Sequence, residues 1–342
     1  MVEPRFLVLR LGSLGDIVHT FPAAAGLRDS FPRAEITWLT HPRWVSLVES
    51  SALASEVWPV ESRSLASVNE VVHRLRQAHW DAALDYQGLW KTALLPLLGG
   101  VKRRIGFSSA TIREFGVPLL YTDRVRCTTV HIADQNGELS LRAGAHRGTG
   151  NFTLRVSSAD EVEMAGFLRG AGLDRYIVLS PGGGWRSKCW PPDRFGELCR
   201  RIRQSPGLRC VVNYGPGEDD LADAVRTASA DAAPLLYNGE LGPLMALLRN
   251  ALCIVGGDTG PLHLAIALGT PAVALFGPTD PARNGPYPRR VPSSATAHED
   301  IVLRAPHSVT SHRRGDAPDP SMLAIEVGAV LDAVRRRIGT HI

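Results

Sequence analysis

Cysteine is scarce and scattered in this sequence. Five cysteines are spread over 342 residues, and no two form a C-x-x-C pair. Zinc sites and disulfide frameworks both need cysteines at short, regular spacings, so neither is expected. Unpaired cysteines are typical of a reducing compartment, and the pattern therefore indicates a cytoplasmic protein.

Long apolar runs are also missing. No window approaches the roughly 18 uninterrupted apolar residues that a membrane span needs. The first residues, MVEPRFLVLRLGSLGD, hold too short an apolar run for a signal peptide and are expected to form a strand. We expect a protein in the cytosol or on a membrane face.

A large charge of either sign is absent as well. The net charge of +4 is small for 342 residues and does not favour nucleic acid as a partner, although arginine-rich surface could meet anionic lipid or an acidic substrate. The hydrophobic content of 44% is enough for full cores, and the length favours two domains.

Three nucleotide-binding or metal-binding motifs are absent. The turn at 12–16 has two glycines and no G-x-G-x-x-G, which excludes the dinucleotide fingerprint. The segment GGGWRSK is not an ATP-binding P-loop, because Ser187 replaces the glycine before the lysine and Cys189 replaces the magnesium-binding Ser or Thr. No Asp-x-Asp occurs, so no divalent metal and no cofactor are expected. Lys188 and helix N-termini would then have to stabilise a leaving diphosphate.

The most informative stretch that is present runs from Val255 to Pro281 and reads VGGDTGPLHLAIALGTPAVALFGPTDP. Its pattern of strand, glycine turn, helix and strand predicts a parallel crossover unit. An open helix N-terminus favours an anion, so we expect a phosphate-bearing ligand at Asp258 to Gly260.

Strands and helices alternate along the rest of the chain. Strands are predicted at 6–11, 35–39, 56–59, 81–85, 176–180, 209–213, 253–255 and 271–276. Helices are predicted at 17–27 with Pro22 as a kink or late start, and at 45–49, 65–77, 89–98, 131–142, 158–171, 193–204, 217–228, 244–250, 262–268 and 322–337. Residues 103–129 break the pattern, and 284–320 are expected to be loops.

This alternation predicts an α/β protein with two doubly wound parallel sheets. A polar linker at 143–151 places the boundary between an N-terminal domain, 1–150, and a C-terminal domain, 151–320, which a helical segment, 321–342, follows. Ligand loops in such folds follow the strands, and four polar turns do so, at 12–16, 182–188, 215–218 and 256–260.

Each charged residue in these turns has a structural alternative to a functional role. Lys188 could neutralise a diphosphate or be a solvated surface lysine, and the glycine loop around it favours the first. Asp258 could be a helix cap alone, whereas the amides of Thr259 and Gly260 are better phosphate donors. Glu218 could accept from ribose hydroxyls or merely favour a helix N-terminus.

Asp16 follows a glycine turn at the predicted start of a helix and could also be only a cap. It could instead deprotonate a hydroxyl, provided that burial or neighbours raise its pKa. A lone histidine is more often a packing residue, which is how we interpret His19. His263 lies one turn into the later helix and is a possible phosphate neighbour.

Several segments together resemble glycosyltransferase family 9, the lipopolysaccharide heptosyltransferases, over roughly residues 5 to 285. They are RLGSLGDIVHTFPAAAGLRDSFP, DYQGLWKTALL, RRIGF, PGGGWRSKCWP, YGPGED and GGDTGPLHLAIALGTPAVALFGPTDP, in the family's order. The resemblance implies two Rossmann-like domains in the GT-B arrangement facing a central cleft, with the acceptor in the N-terminal half and the nucleotide sugar in the C-terminal half. It also implies inverting transfer without a metal.

The resemblance assigns roles to residues that match the family's motifs. Asp16 matches the general base. Donor-binding residues implied in this way are Lys188, Glu218, Asp258, Thr259, Gly260 and His263. Acceptor-binding residues implied in this way are Ser13, Gln87, Gly88 and Lys91.

The implied reaction moves heptose from ADP-heptose to a lipid A–Kdo inner-core acceptor, with peripheral contact at the cytoplasmic face of the inner membrane and no nucleic-acid partner. The sequence departs from the family in having no cysteines at 307–321 and in matching only loosely at 113–147, where His131 is kept. Two alternatives therefore stay open. One is a related glycosyltransferase acting on another glycan or a natural product with a different nucleotide sugar, and the other is a nucleotide-sugar epimerase.

Overall fold

The chain forms two compact units, residues 1–155 and 156–342. The computed structural model describes residues 3–112, 114–205, 207–287, 300–311 and 315–339. Each unit contains one six-stranded sheet, and every strand pair in both sheets is parallel. Helices connect the strands, so the predicted α/β class with two doubly wound sheets is confirmed.

The first unit has the strand order β3-β2-β1-β4-β5-β6. Its strands are β1 (Arg5–Leu9), β2 (Glu35–Thr40), β3 (Glu56–Pro59), β4 (Ala82–Asp85), β5 (Arg104–Phe107) and β6 (Asp123–Val125). Its helices are α1 (Leu14–Val18), α2 (Phe21–Ser30), α3 (Val45–Ser50), α4 (Leu65–Arg76), α5 (Trp90–Leu98) and α6 (Ile132–Ala143), with short 3₁₀ turns at Pro42–Trp44 and Val117–Leu120.

The second unit has the order β12-β11-β10-β7-β8-β9. Its strands are β7 (Arg175–Ser180), β8 (Leu208–Asn213), β9 (Leu235–Tyr237), β10 (Cys253–Gly257), β11 (Ala272–Phe276) and β12 (Ile301–Arg304). Its helices are α7 (Ser158–Gly170), α8 (Pro192–Arg203), α9 (Asp219–Ala228), α10 (Leu241–Arg249), α11 (Gly260–Leu268), α12 (Pro281–Asn284), α13 (Pro320–Leu323) and α14 (Val327–Ile338), with 3₁₀ turns at Arg186–Lys188 and Ala230–Ala232.

Apolar strands explain why both sheets form. The central strands β1 and β10 are almost wholly buried, as expected for parallel strands that are covered by helices on both faces. Helix α14 contributes Val330 and Val334 to the same core as Val255 and Val273, so the C-terminal helix is part of the second unit.

Three sequence expectations about elements are wrong. Residues 103–129 do not break the pattern, because they contain β5 and β6, which extend the first sheet. Residues 284–320, described at 284–287, 300–311 and 315–320, are not all loops, because β12 pairs with β11. The last helix does not run unbroken from 322 to 337: α13 ends at Leu323 and α14 begins at Val327.

Pro22 marks a late start and not a kink. Helix α1 ends at Val18, and Pro22 lies in the first turn of α2. A proline is tolerated there because the first turn of a helix has no intrahelical partner for its N–H groups. This break leaves α1 as a short segment that carries Asp16.

Candidate active site

The loops that follow β1 and β4 meet in the first unit. These strands are neighbours at the point where the strand order reverses, which is where ligands bind in open parallel sheets. The backbone N–H of Leu11 donates to Oε1 of Gln87 over 2.7 Å, and the guanidinium of Arg10 donates to the carbonyl of Tyr86. The predicted base loop and the predicted acceptor segment are therefore held together directly.

Asp16 lies in this loop with three donors around its carboxylate. Nη2 of Arg10 is 2.7 Å from Oδ1. The backbone N–H and the hydroxyl of Ser13 both donate to Oδ2, each over 3.0 Å. The side chain of Asp16 is 44% exposed, whereas Arg10 is buried beneath it. The carboxylate thus has one accessible side and a buried cation on the other.

The pKa of Asp16 is lowered, whereas the sequence analysis required a raised pKa for Asp16 to deprotonate a hydroxyl. Burial alone would raise it, but the charge of Arg10 and the hydrogen bonds from Ser13 outweigh that effect. Asp16 also accepts a hydrogen bond from the N-cap residue Ser13 and so helps to cap the start of α1. Capping was the structural alternative to a catalytic role. The arrangement gives an ionised, half-exposed carboxylate at neutral pH.

A second carboxylate, Asp85, organises the predicted acceptor segment from beneath. Its Oδ1 accepts from the backbone N–H groups of Gln87 and Gly88, each over 3.0 Å. Its Oδ2 accepts from the hydroxyls of Thr92 and Tyr121, over 2.9 and 2.8 Å. Asp85 is fully buried, and burial raises its pKa.

The predicted acceptor residues Gly88 and Lys91 follow this anchor. Gly88 has φ of +70°, a left-handed conformation, and a Cβ at this position would lie 2.8 Å from Cδ1 of Ile112, so glycine is required. Lys91 is exposed on the first turn of α5. Sequence reasoning missed Arg10 and Asp85, although a charged residue at the end of an apolar strand was a visible signal for both.

Three loops of the second unit also converge. They follow β10, β7 and β8, which are consecutive strands in the sheet. Nζ of Lys188 donates to the carbonyl of Asp258 and lies 4.3 Å above the ring of Trp185. Lys188 is partly exposed, and its ammonium is held against the loop that follows β10.

Glu218 links the other two loops. Its Oε1 accepts from the backbone N–H of Gly183 over 3.2 Å, and its Oε2 from that of Gly215 over 2.8 Å. The carboxylate also lies against Gly182, where a Cβ would come within 2.3 Å of it. Glu218 is the N-cap residue of α9, but its side chain does not cap that helix.

The carboxylate of Asp258 pairs with a histidine in the first turn of α11. Its Oδ1 is 2.9 Å from Nε2 of His263, and both side chains are buried. Thr259, and not Asp258, is the N-cap residue of α11, so of the two alternatives for Asp258 the structure does not support the one in which it is a helix cap alone. Burial would raise the pKa of Asp258, but the hydrogen bond and charge of His263 and the charge of Lys188 lower it overall.

The start of α11 presents polar groups suited to an anion. The first N–H groups of a helix have no intrahelical partner and carry the positive end of its dipole. The hydroxyl of Thr259 is buried and makes no hydrogen bond to any residue that the structure describes. With the ammonium of Lys188 beside it, this corner combines a cation, helix amides and an unpaired hydroxyl, a set of groups that favours a phosphate.

Two negative findings apply to the described ranges only. There, no group of three or more His, Cys, Asp or Glu side chains is placed to hold a metal ion. Within the same ranges, no helix has the length and apolar character of a membrane span.

Comparisons with known proteins identify the family. The family model described as glycosyltransferase family 9 (heptosyltransferase) matches residues 68–301. "Lipopolysaccharide heptosyltransferase 1" of Pseudomonas aeruginosa is 26% identical over 302 residues, which cover 83% of this chain and 82% of that protein.

Solved structures agree in fold. A family 9 glycosyltransferase from Veillonella parvula superposes with a TM-score of 0.83 at 22% identity, covering 99% of this chain and 98% of the other. The E. coli heptosyltransferase WaaC with ADP superposes with a TM-score of 0.74 at 23% identity, covering 97% and 99%. The predicted GT-B class of two Rossmann-like units is confirmed.

The sequence left two enzyme classes open, a glycosyltransferase and a nucleotide-sugar epimerase. Family membership decides in favour of the glycosyltransferase. The model matches well over half of the chain and includes the Gln87–Lys91 segment, Lys188, Glu218 and the start of α11. The chain belongs to glycosyltransferase family 9, the heptosyltransferase family, and is a glycosyltransferase.

Proposed function

We propose that the protein transfers heptose from ADP-heptose to a lipopolysaccharide inner-core acceptor, with inversion at the anomeric carbon and without a metal ion. The names of the curated relatives support the acceptor class, and the solved structure of WaaC with ADP supports the nucleotide. The single observation that carries the proposal is the corner formed by Lys188, Thr259 and the start of α11.

The donor diphosphate binds at this corner. An ammonium has three donors, so Lys188 can keep its bond to the carbonyl of Asp258 and still bind a phosphate oxygen. The hydroxyl of Thr259 and the amide of Gly260 supply further donors. As the bond between the anomeric carbon and the diphosphate breaks, the electron pair leaves with the diphosphate, and these groups stabilise its added charge.

Asp258 and His263 position the residues of this corner. The carboxylate of Asp258 does not contact the phosphates. A bare carboxylate beside a diphosphate would repel it, but the carboxylate of Asp258 is paired with His263, over 2.9 Å, which offsets that repulsion. Glu218 fixes the two glycine loops through Gly183 and Gly215, and its remaining lone pairs can accept from the donor's sugar hydroxyls.

Asp16 acts as the base in the first unit. Its carboxylate takes the proton of an acceptor hydroxyl, and that oxygen attacks the anomeric carbon from the face opposite the diphosphate. Because the charge of Arg10 makes Asp16 a weak base, the proton moves late, when the new carbon–oxygen bond has already made the hydroxyl acidic. Gln87 and Lys91, with Ser13 beside Asp16, contact the acceptor in residues 1–150, and residues 151–320 hold the donor.

The first experiment tests the role of Asp16 as the base separately from binding of the donor. Asp16→Ala should lower turnover by about 10²–10⁴-fold, the usual contribution of a general base. Affinity for ADP should stay within about twofold, since no proposed nucleotide contact lies in the first unit. The exposed Asp29→Asn variant is the matched control, and full turnover of Asp16→Ala would refute the assignment.

A panel of nucleotide sugars tests the substrates. Nucleoside diphosphate release is measured with and without a lipid A–Kdo acceptor, and acceptor-dependent release from ADP-heptose is expected. Release from another nucleotide sugar, or with another glycan as acceptor, would overturn the proposed substrates and leave the family assignment intact.

A further inference from the structure

The loop that follows β2 lies beside the loop that carries Asp16. Strands β2 and β1 pair in parallel, so both loops leave the same edge of the first sheet. The backbone N–H of His41 donates to the carbonyl of Leu11 over 3.3 Å, which joins the two loops directly. We call residues 41–44 the β2 turn. The proposed function assigns no role to it.

The β2 turn is closed by its own hydrogen bonds. Residues 42–44 form a 3₁₀ turn, and the ring of Pro42 fixes φ at its start. The backbone N–H of Trp44 donates to the carbonyl of His41 over 2.8 Å. The backbone N–H of Arg43 donates to Nδ1 of the same histidine over 3.2 Å. The backbone that carries Arg43 and Trp44 is therefore held without a ligand.

Trp44 packs against the backbone of the Asp16 loop. A Cβ at Gly12 would lie 3.1 Å from Nε1 of the Trp44 indole, so a larger residue there would press on the ring. Gly12 is followed by Ser13, whose N–H and hydroxyl both donate to Asp16. The half-buried indole is thus a close neighbour of the turn that holds the proposed base.

The guanidinium of Arg43 lies over the indole of Trp44. Its central carbon is 4.8 Å from the ring centroid, within the range of a cation–π contact. Arg43 is exposed and forms no ion pair with a carboxylate in the part of the chain that the structure describes. Stacking leaves the N–H donors at the edge of the guanidinium open to a planar anion. Arg10, by contrast, is buried and already bound to Asp16.

We propose that Arg43 binds the carboxylate of an acidic acceptor sugar, with Trp44 holding the guanidinium in place. This inference rests on the proposed function, which places the acceptor hydroxyl at Asp16. A guanidinium and a carboxylate match in geometry and can form two parallel hydrogen bonds. One cation suits a singly charged group, because the carboxylate of Asp16 would repel a doubly charged phosphate more strongly.

This contact sets specificity and leaves the chemistry to Asp16. Arg43 touches the carboxylate of the acceptor sugar and not the reacting atoms, so that a hydroxyl of the same sugar faces Asp16. Loss of Arg43 should therefore raise the KM for the acceptor and change kcat less. Trp44 acts through Arg43 and is a positioning residue.

Two forms of one soluble acceptor test the proposal. A deacylated core-sugar acceptor with a free carboxylate is compared with its methyl ester, which keeps the sugar and removes the charge. The wild type should prefer the free acid by about five- to tenfold in kcat/KM, as expected for a bidentate but solvent-accessible contact. Arg43→Gln should use both forms equally, because the cation that distinguishes them is gone. Its KM for the donor should stay within about twofold of the wild-type value.

Variants of Trp44 separate positioning of Arg43 from general damage to the loop. Trp44→Phe keeps an aromatic face and should retain most of the preference for the free acid. Trp44→Leu loses the cation–π contact, and the preference should fall by about two- to fivefold. A purely structural role would lower turnover on both forms alike and leave their ratio unchanged, which would refute the positioning role.

Arg33→Gln is the matched control. Arg33 is exposed and pairs with Glu3, which precedes β1 and so lies at the opposite edge of the sheet from the β2 turn. This variant should keep the wild-type preference. Circular dichroism checks that each variant is folded, and Arg43→Gln decides if a Trp44 variant misfolds. A wild type that prefers neither form, or an Arg43→Gln variant that keeps the preference, would overturn the proposal.

A phosphorylated acceptor and its dephosphorylated form provide a further comparison. Phosphate removal should change kcat/KM by the same factor in the wild type and in Arg43→Gln. A phosphate preference that disappears in Arg43→Gln, with no such effect for the carboxylate, would overturn the carboxylate as the partner of Arg43.

Binding without donor separates this proposal from the proposed function. Calorimetric titration with the free-acid acceptor alone should show weaker binding to Arg43→Gln than to the wild type. If binding follows this pattern but ADP-heptose gives no transfer, the proposed function fails and the Arg43 contact stands. If transfer occurs with equal use of acid and ester by the wild type, the Arg43 contact fails and the proposed function stands.

Discussion

The guanidinium of Arg10 lies 2.7 Å from the carboxylate of Asp16 and also donates to the carbonyl of Tyr86. One buried side chain therefore joins the loops after β1 and β4 and sets the charge state of the proposed base. Burial alone would raise the pKa of Asp16, and the charge of Arg10 together with the hydrogen bonds from Ser13 lowers it overall. Arg10 and Asp16 therefore act as a pair.

Removing the charge of Arg10 should shift the pH dependence of activity. In the wild type the pKa of Asp16 lies below its ordinary value of about 3.9, so Asp16 sets no loss of activity between pH 8 and pH 5. In Arg10→Met only burial and the Ser13 bonds remain, and the acid limb of kcat/KM should move up by about one pH unit or more. Steady-state kinetics over pH, with the charge-retaining Arg10→Lys as control, measures this. Identical profiles for wild type and Arg10→Met would contradict it.

The unpaired hydroxyl of Thr259 gives a prediction that separates binding from stability. Thr259→Val removes no hydrogen bond to any residue that the structure describes, so the melting temperature should stay the same or rise. The proposed bond to a charged phosphate is lost, which should weaken ADP binding by about 1.5–3 kcal/mol, roughly ten- to a hundredfold. Calorimetric titration and thermal melting measure the two effects.

Thr270→Val should show the reverse behaviour. The hydroxyl of Thr270 is buried and donates to the carbonyl of Leu248 over 2.7 Å, so the free energy of unfolding should fall by about 1 kcal/mol. ADP affinity should not change, because Thr270 lies beyond the far end of α11. Unchanged ADP affinity in Thr259→Val would remove that hydroxyl from the donor site.

The positions of the glycine loops were predictable, whereas their internal partners were not. Apolar strands such as Leu7–Leu9 and Ala272–Phe276 are buried on both faces, and this pattern alone indicates parallel strands with ligand loops at their ends. Strands β5, β6 and β12 have only three or four residues and polar members, so pairing with a neighbouring strand defines them.

Side-chain contacts within the site depend on how loops meet. Asp258 and His263 are five residues apart, and a capping carboxylate is as compatible with that spacing as the observed pair. The partners Arg10 and Tyr86 are 76 residues apart and come together only through the order of strands β1 and β4. No local pattern in the sequence contains that information.

Gly182→Ala should impair donor binding through Glu218. A Cβ at this position would lie within 2.5 Å of both carboxylate oxygens of Glu218, so the carboxylate must move and release Gly183 or Gly215. The KM for the donor should rise several-fold with a smaller change in kcat, since the loops that hold the donor are displaced. Gly184→Ala is the matched control in the same loop, because its Cβ would meet no atom of the described residues within 4 Å. Equal kinetics for the two variants would argue against a positioning role of Glu218.

Asp85→Asn should remove one pH-dependent contribution to the protein's stability. The folded-state pKa of Asp85 is raised above its unfolded value of about 3.9, so its contribution to stability is present below that pH and is lost as the pH rises through the folded pKa. Asparagine does not titrate. Its oxygen can accept from Gln87 and Gly88, and its amide can donate to the hydroxyls of Thr92 and Tyr121. The free energy of unfolding of Asp85→Asn relative to the wild type should therefore increase from pH 4 to pH 8.

Urea denaturation at pH 4 and pH 8 measures this difference, and Asp85→Ala provides the contrast. Alanine leaves the buried N–H groups of Gln87 and Gly88 without an acceptor, at a cost of about 1–3 kcal/mol for each unsatisfied group, so that variant should be destabilised at both pH values. The stability difference between Asp85→Asn and the wild type could instead be the same at both pH values. That result would show that ionisation of the buried carboxyl of Asp85 does not cost stability. The four hydrogen bonds would then be its whole contribution to the acceptor segment.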